Sequence, residues 1–209
     1  MEGKVIAIVG AAGSGKSYLT RKLAEQYKAV AIYEGEAADL PERIRKNLAK
    51  RKRYLETILW FRNQQVAKHT EAEELKAEGK YVVEDTFWLT YQLHINAYLK
   101  GFEREVAWQL AELDRKMLKW PDVVIYLSST EESMRQYMQK RFGERYWEKN
   151  EDFVKLMLKV REEHEKFFKK PMKNLITVER EKVDFDREED FNKLLKEIDA
   201  LLIENTKYF

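Results

Sequence analysis

The stretch Gly10-Ala11-Ala12-Gly13-Ser14-Gly15-Lys16-Ser17 spaces its glycines, its lysine and its last hydroxyl as G-x-x-x-x-G-K-[ST]. The chemistry this spacing serves is phosphate binding. Glycine lets the backbone turn tightly and bring successive N–H groups against an anion, because no β-carbon blocks the approach. All eight residues from Gly10 to Ser17 are candidate contacts to a nucleoside triphosphate. Lys16 places a positive charge on the β- and γ-phosphates, and the Ser17 hydroxyl is a ligand for Mg²⁺.

Further candidates follow other apolar runs. Glu34 and Glu36 stand two apart after Ala29–Tyr33, where a carboxylate can accept the proton of an attacking hydroxyl. Asp85, preceded by Glu84, closes Tyr81–Val83 and is placed to serve Mg²⁺ or substrate. Arg141 and Arg145 lie on the charged connector from Lys140 to Glu148, beside Gly143. Arginines on a bendable connector suit a lid over residues 141–149 that closes on phosphates and excludes water. The aromatics Trp60, Phe61, Phe87, Trp88 and Tyr91 surround the third apolar run; most are expected in the core, and Trp60 and Trp88 are candidates to stack on a base. The basic residues between Arg43 and Arg53 are balanced by Glu42, Glu56 and the Glu71–Glu78 region, as on a solvated helix face.

The elements that must position these groups alternate along the chain. Strands are expected at 4–9, 29–33, 81–85, 123–127 and 175–178. Helices are expected at 17–27, across 41–79 with a break near 50–53, at 88–99, 103–119, 130–141, 152–169 and 188–203. Strands alternating with helices imply crossover units and a parallel α/β sheet covered on both faces. No Pro, Gly or Ser cluster divides the 209 residues, so a single domain is expected.

Thirty-nine basic residues against thirty-seven acidic leave a net charge of +2, which argues against a dedicated nucleic-acid surface. The high charged fraction, 36% and dominated by Lys and Glu, resembles heat-adapted proteins. Cysteine is absent, excluding disulfides, and His69, His94 and His164 lack metal-ligand spacing. No apolar stretch reaches the ~20 residues of a membrane span. The N-terminus runs straight into the first strand, so no signal peptide is expected and a cytoplasmic location is.

In this order the motifs resemble the deoxynucleoside kinase and thymidylate kinase branch of the P-loop kinases. Gly10–Ser17 matches the ATP-phosphate loop. Glu34, or alternatively Glu36, stands where deoxynucleoside kinases carry the glutamate that acts as base toward the 5′-hydroxyl. Leu59–Arg62 through Gly79–Asp85 resembles the path from a substrate-lining helix into an Asp-Arg or Glu-Arg-Ser motif, Pro121–Leu127 is similar to the strand before the lid helix, and Arg141 and Arg145 fall at lid arginines. The resemblance implies a five-stranded parallel sheet flanked by helices and phosphoryl transfer from ATP with Mg²⁺ to the 5′-hydroxyl of a nucleoside or deoxynucleoside. A nucleoside monophosphate kinase, or an ATP-binding regulatory protein that hydrolyses slowly, is the alternative. The chain departs from the pattern at Thr86 (or Asp85, if the alignment moves by one), where the family has an arginine; Arg62 is the candidate substitute. Gln64 and Gln65 lie near, but displaced from, the family's base-recognising glutamine. Glu36, Trp60, Arg62 and Trp88 are the expected acceptor contacts, and helices rich in apolar residues, such as 103–119, are compatible with a homodimer.

Overall fold

A computed structural model describes residues 2–35 and 39–206. Strands β1 (Lys4–Gly10), β2 (Val30–Ile32), β3 (Tyr81–Asp85), β4 (Val123–Ser128) and β5 (Leu175–Glu179) form one sheet in the order β2-β3-β1-β4-β5, every pairing parallel. The first two strands are therefore not neighbours; β3 lies between them. β1 is wholly buried because both of its faces are covered. Ile6 and Ile8 pack with Leu19, Leu23 and Ile198 on one side, while Ala7 and Val9 pack with Trp88, Leu93 and Phe168 on the other. The first side is roofed by α1 (Lys16–Tyr27) and α9 (Glu188–Thr206).

The long charged region splits as its sequence suggests, into α2 (Glu42–Ala49) and α3 (Tyr54–Ala77). Arg51 and Arg53 in the turn between them take left-handed backbone angles, both at φ 51°. After β3 the expected helix from Trp88 is corrected: only α4 (Gln92–Tyr98) is helical. Phe87, Trp88 and Leu89 are consecutive and all fully buried, so this segment buries side chains in every direction and folds as turns instead of presenting one helical face. Then come α5 (Gly101–Met117), α6 (Glu131–Phe142), a single-turn α7 (Tyr146–Lys149) and α8 (Glu151–Phe168). Thr130 caps α6, accepting a hydrogen bond from Ser133 N–H at 3.2 Å. Met134 and Met138 of α6 join Ala11 and Val154 in a separate apolar cluster, which seats α6 and α8 on the glycine-rich loop.

Candidate functional site

The loop between β1 and α1 sits at the carboxyl ends of the parallel strands, where open α/β sheets bind ligands. Its glycines are sterically required. A β-carbon on Gly10 would come within 2.6 Å of Ser14 Oγ and 2.7 Å of the Leu127 carbonyl; Gly13, at φ 83°, has no room for one beneath the Tyr137 ring. The Ser14 hydroxyl is buried with no hydrogen-bond partner among the described residues, an orphan donor inside a loop of backbone N–H groups. Arg180, just past β5, braces the loop from outside: its Nε donates to the Ser14 carbonyl at 2.9 Å and its guanidinium lies 4.4 Å over Phe185. The cradle and the orphan hydroxyl fit a polyphosphate.

Ser17 Oγ donates to Asp85 Oδ2 at 2.5 Å, so the two expected metal-binding residues meet across 68 positions of sequence. An alcohol and a carboxylate at a phosphate loop form an oxygen-only donor set, as Mg²⁺ prefers when phosphates supply the rest. Asp85 Oδ1 faces the Thr86 hydroxyl at 3.3 Å, and the same hydroxyl is 3.5 Å from Glu34 Oε2. Gln65 Nε2 lies 3.4 Å from Glu34 Oε1, while Gln65 Oε1 accepts from Tyr91 N–H at 2.9 Å. A polar chain thus runs from the phosphate loop through Asp85 and Thr86 to Glu34. Thr86 holds its place in it at φ 74°, an unusual backbone for a β-branched residue and a form of strain that concentrates at working sites.

Glu34 and Thr86 open into a cavity of about 480 Å³ that also includes Ala12 of the phosphate loop. Ile58, Trp60, Phe61, Tyr91 and Phe153 give it a largely aromatic wall, the usual character of a small-molecule site. Among the described residues Lys68 is its one cation, and its Nζ already donates to the carbonyls of Tyr33 at 2.6 Å and Glu34 at 2.5 Å. Lys68 therefore ties α3 to the segment carrying Glu34.

The structure brings the expected Lys16, Ser17, Glu34, Asp85 and Trp60 to this region and separates others from it. Arg62 does not line the cavity; it grips Asp114 through Nε at 2.8 Å and through a second, shorter contact from Nη2, and that pairing raises its pKa. Tyr91 donates to the same Asp114 at 2.5 Å, making the carboxylate a structural hub between α3, α4 and α5. Trp88 is corrected as a stacking residue: it is fully buried in the core and its Nε1 donates to the Lys119 carbonyl at 2.8 Å. Arg141 and Arg145 are exposed and line no part of the cavity; Arg141 contacts the Tyr137 hydroxyl, and Arg145 lies 3.5 Å from Glu148. Glu36 falls outside the described residues. Sequence reasoning missed Gln65 as the partner of Glu34, as well as Lys68, His94, Tyr137 and Arg180, because each is recruited from another element by packing.

Behind the site, adjacent residues of β3 point to opposite faces. Asp85 turns to the loop, while Glu84, fully buried, meets His69 Nδ1 at 2.8 Å; His69 Nε2 meets the Lys119 carbonyl at 2.9 Å. Burial alone would push the His69 pKa down, but the hydrogen bond and charge of Glu84 outweigh it and lift it.

A family model described as an AAA domain matches residues 5–198. The chain belongs to this family. No curated protein matches this AAA-domain chain in sequence. Among solved structures it is similar to deoxyadenosine kinase from M. mycoides. The form with product dCMP and a flexible dCDP gives a TM-score of 0.73 at 14% identity, covering 94% of this chain and 99% of that one. The form with dCTP gives 0.72 at 13% identity over the same shares, and the form with dATP 0.69 at 15%, covering 97% and 99%. The fold is that of the P-loop deoxynucleoside kinases, as the order of motifs implied.

Proposed function

We propose that this AAA-domain protein is a phosphotransferase that uses ATP and Mg²⁺ to phosphorylate a hydroxyl of a small nucleoside-like acceptor, the 5′-hydroxyl of a deoxynucleoside being the favoured target. The observation that carries the reading is the shared cavity: Ala12 of the phosphate loop and the Glu34 carboxylate line one space. Kinship of fold with deoxyadenosine kinase supports it. Lys16 and the loop N–H groups would bind and orient the triphosphate, with the glycines allowing that approach. Ser17 and Asp85 would hold Mg²⁺, which supplies charge neutralisation at the phosphates when bound. Glu34, pinned by Gln65 and by Lys68 through its backbone, would accept the proton of the attacking hydroxyl. Trp60 and its aromatic neighbours would take the flat part of the acceptor. Residues 1–209 would act as one domain, with 141–149 as the lid. Tyr137, already against Gly13, would carry Arg141 toward the phosphates, with Arg145 following, as the lid closes.

The cavity favours an uncharged acceptor over a monophosphate. Thr86 supplies no charge where an arginine was expected, Arg62 is held by Asp114, and Lys68 is held by two carbonyls. A phosphate entering there would find no uncommitted cation among the described lining residues. Two copies would pair through α5, where Phe102, Leu113 and Met117 leave apolar surface exposed. None of the described helices is long and apolar enough to cross a membrane. A radiolabelled-ATP screen of nucleosides against their 5′-monophosphates tests the choice. Label entering nucleosides supports it; label entering monophosphates alone overturns it.

A further inference from the structure

We propose that His94 is an acceptor-binding residue: its neutral imidazole takes, through Nε2, a hydrogen bond from a hydroxyl or amino donor of the acceptor molecule. The inference rests on the nucleoside reading above and adds a residue to which neither the phosphate-loop pattern nor the expected base glutamate points.

His94 lies on α4 and part of its surface lines the cavity that holds Glu34 and Thr86. Its Nδ1 faces the Thr90 carbonyl at 3.0 Å, in the turn that leads into α4. A carbonyl can only accept, so Nδ1 carries the proton and Nε2 presents a lone pair. Among the described residues no hydrogen-bond partner meets that nitrogen. The remaining surroundings keep the ring uncharged. Burial lowers its pKa most; the Thr90 hydrogen bond and Glu34 after β2 pull the other way, and Lys16 of α1 adds a smaller lowering. From α8, His164 approaches edge-on with ring centroids 6.1 Å apart; from α4 itself, Tyr98 lies at 5.9 Å. Burial likewise pushes the His164 pKa down, to about 3. Its Nδ1 donates to Val160 at 2.8 Å, and its buried Nε2 has no partner among the described residues.

This corner of the cavity therefore presents an acceptor nitrogen on His94 that no donor among the described residues meets. Filling it with an apolar group would leave a desolvated nitrogen unpaired, whereas a ligand hydroxyl or amino group would satisfy it. Because His94 lines the same cavity as Glu34 and Ala12, the donor it reads belongs to the molecule that Glu34 faces.

The test is calorimetric binding of deoxyadenosine, deoxycytidine, deoxyguanosine and thymidine to the full chain near neutral pH, in the presence of a non-hydrolysable ATP analogue and Mg²⁺. His94→Leu should weaken nucleoside binding about tenfold or more, with affinity for the ATP analogue unchanged. His94→Gln, whose side-chain carbonyl can accept the same hydrogen bond, should recover most of the affinity. A His94→Leu protein that binds as tightly as wild type overturns the His94 proposal and leaves the nucleoside reading standing, as does a His94→Gln protein that binds no tighter than His94→Leu. A wild-type protein that binds none of the four overturns the nucleoside reading and this proposal with it. Thermal unfolding of each variant shows whether a loss of binding is a loss of folding, and a His94→Leu protein that does not fold leaves the comparison of His94→Gln with wild type to decide.

Discussion

The two halves of the proposed site, one for phosphate and one for acceptor, are built on opposite plans. The phosphate half is eight consecutive residues, Gly10 to Ser17, whose shape is dictated by local backbone geometry and by glycines that cannot carry a side chain. The acceptor half is gathered from across the chain: Glu34 after β2, Gln65 and Lys68 on α3, Thr86 after β3, Tyr91 and His94 around α4 and Phe153 from α8. A contiguous device can be recognised one residue at a time. A gathered one depends on packing, and its chemistry changes when a single partner is diverted, as Arg62 is by Asp114.

The contrast makes the largest predicted effect fall on the phosphate half. Lys16→Ala should lower turnover about a thousandfold or more, while circular dichroism and the melting temperature stay at wild-type values. Next comes the acceptor half: Glu34→Gln should reduce kcat by about 10²–10⁴-fold and leave ATP-analogue binding intact. If that variant kept full activity, the proton would be leaving by another route, and the two halves would not meet at Glu34. Gly13→Ala probes the cradle without touching charge. Its methyl would overlap the Tyr137 ring at a φ of 83°, so denaturant titration should show a loss of about 1–3 kcal/mol, together with weaker ATP binding.

A smaller effect sits behind the acceptor half. The folded pKa of His69 is raised above its ordinary 6.5 by Glu84, and burial raises that of Glu84 as well. A raised folded pKa means that the folded state binds the proton more tightly. The contribution of His69 is therefore fully present below pH 6.5 and is lost as pH rises through its raised folded value, while that of Glu84 is full only below its ordinary 4.5 and is lost as pH rises through its own raised value. Glu84→Gln, which can still donate to His69 Nδ1 while Nε2 bonds Lys119, should flatten this part of the stability–pH curve; a curve of unchanged slope would dissociate the effect from this pair. Smallest of all is Arg51→Ala. It breaks a 2.6 Å ion pair with Asp152, but those side chains are 39% and 71% exposed, so chemical denaturation should register about 0–1 kcal/mol.

How much could be read without the structure follows the same division. The sheet was legible because each strand is a short apolar run bounded by turn residues, and β1 is nearly uninterrupted in apolarity because helices cover both of its faces. The α2–α3 break was legible too, since basic residues crowd the turn at 50–53. The segment after β3 was misread as helix because Phe87, Trp88 and Leu89 carry helix-compatible residue types, while their burial on all sides is a tertiary fact. Trp88 was assigned to the acceptor by residue type and Arg62 by its place in the family pattern; packing sent one into the core and the other to Asp114. His94 carried no signal in the sequence, since a lone histidine acquires meaning only from what lies against it.

The account stands on the phosphate loop and Glu34 facing each other across one space. The most direct measurement is a crystal structure with a non-hydrolysable ATP analogue, Mg²⁺ and a deoxynucleoside. The account predicts polyphosphate on Gly10–Ser17 and the nucleoside's 5′-oxygen within about 3.2 Å of a Glu34 carboxylate oxygen, in line with the terminal phosphate. A nucleoside bound outside the cavity, or a 5′-oxygen turned away from Glu34 with the nucleotide in place, would contradict it.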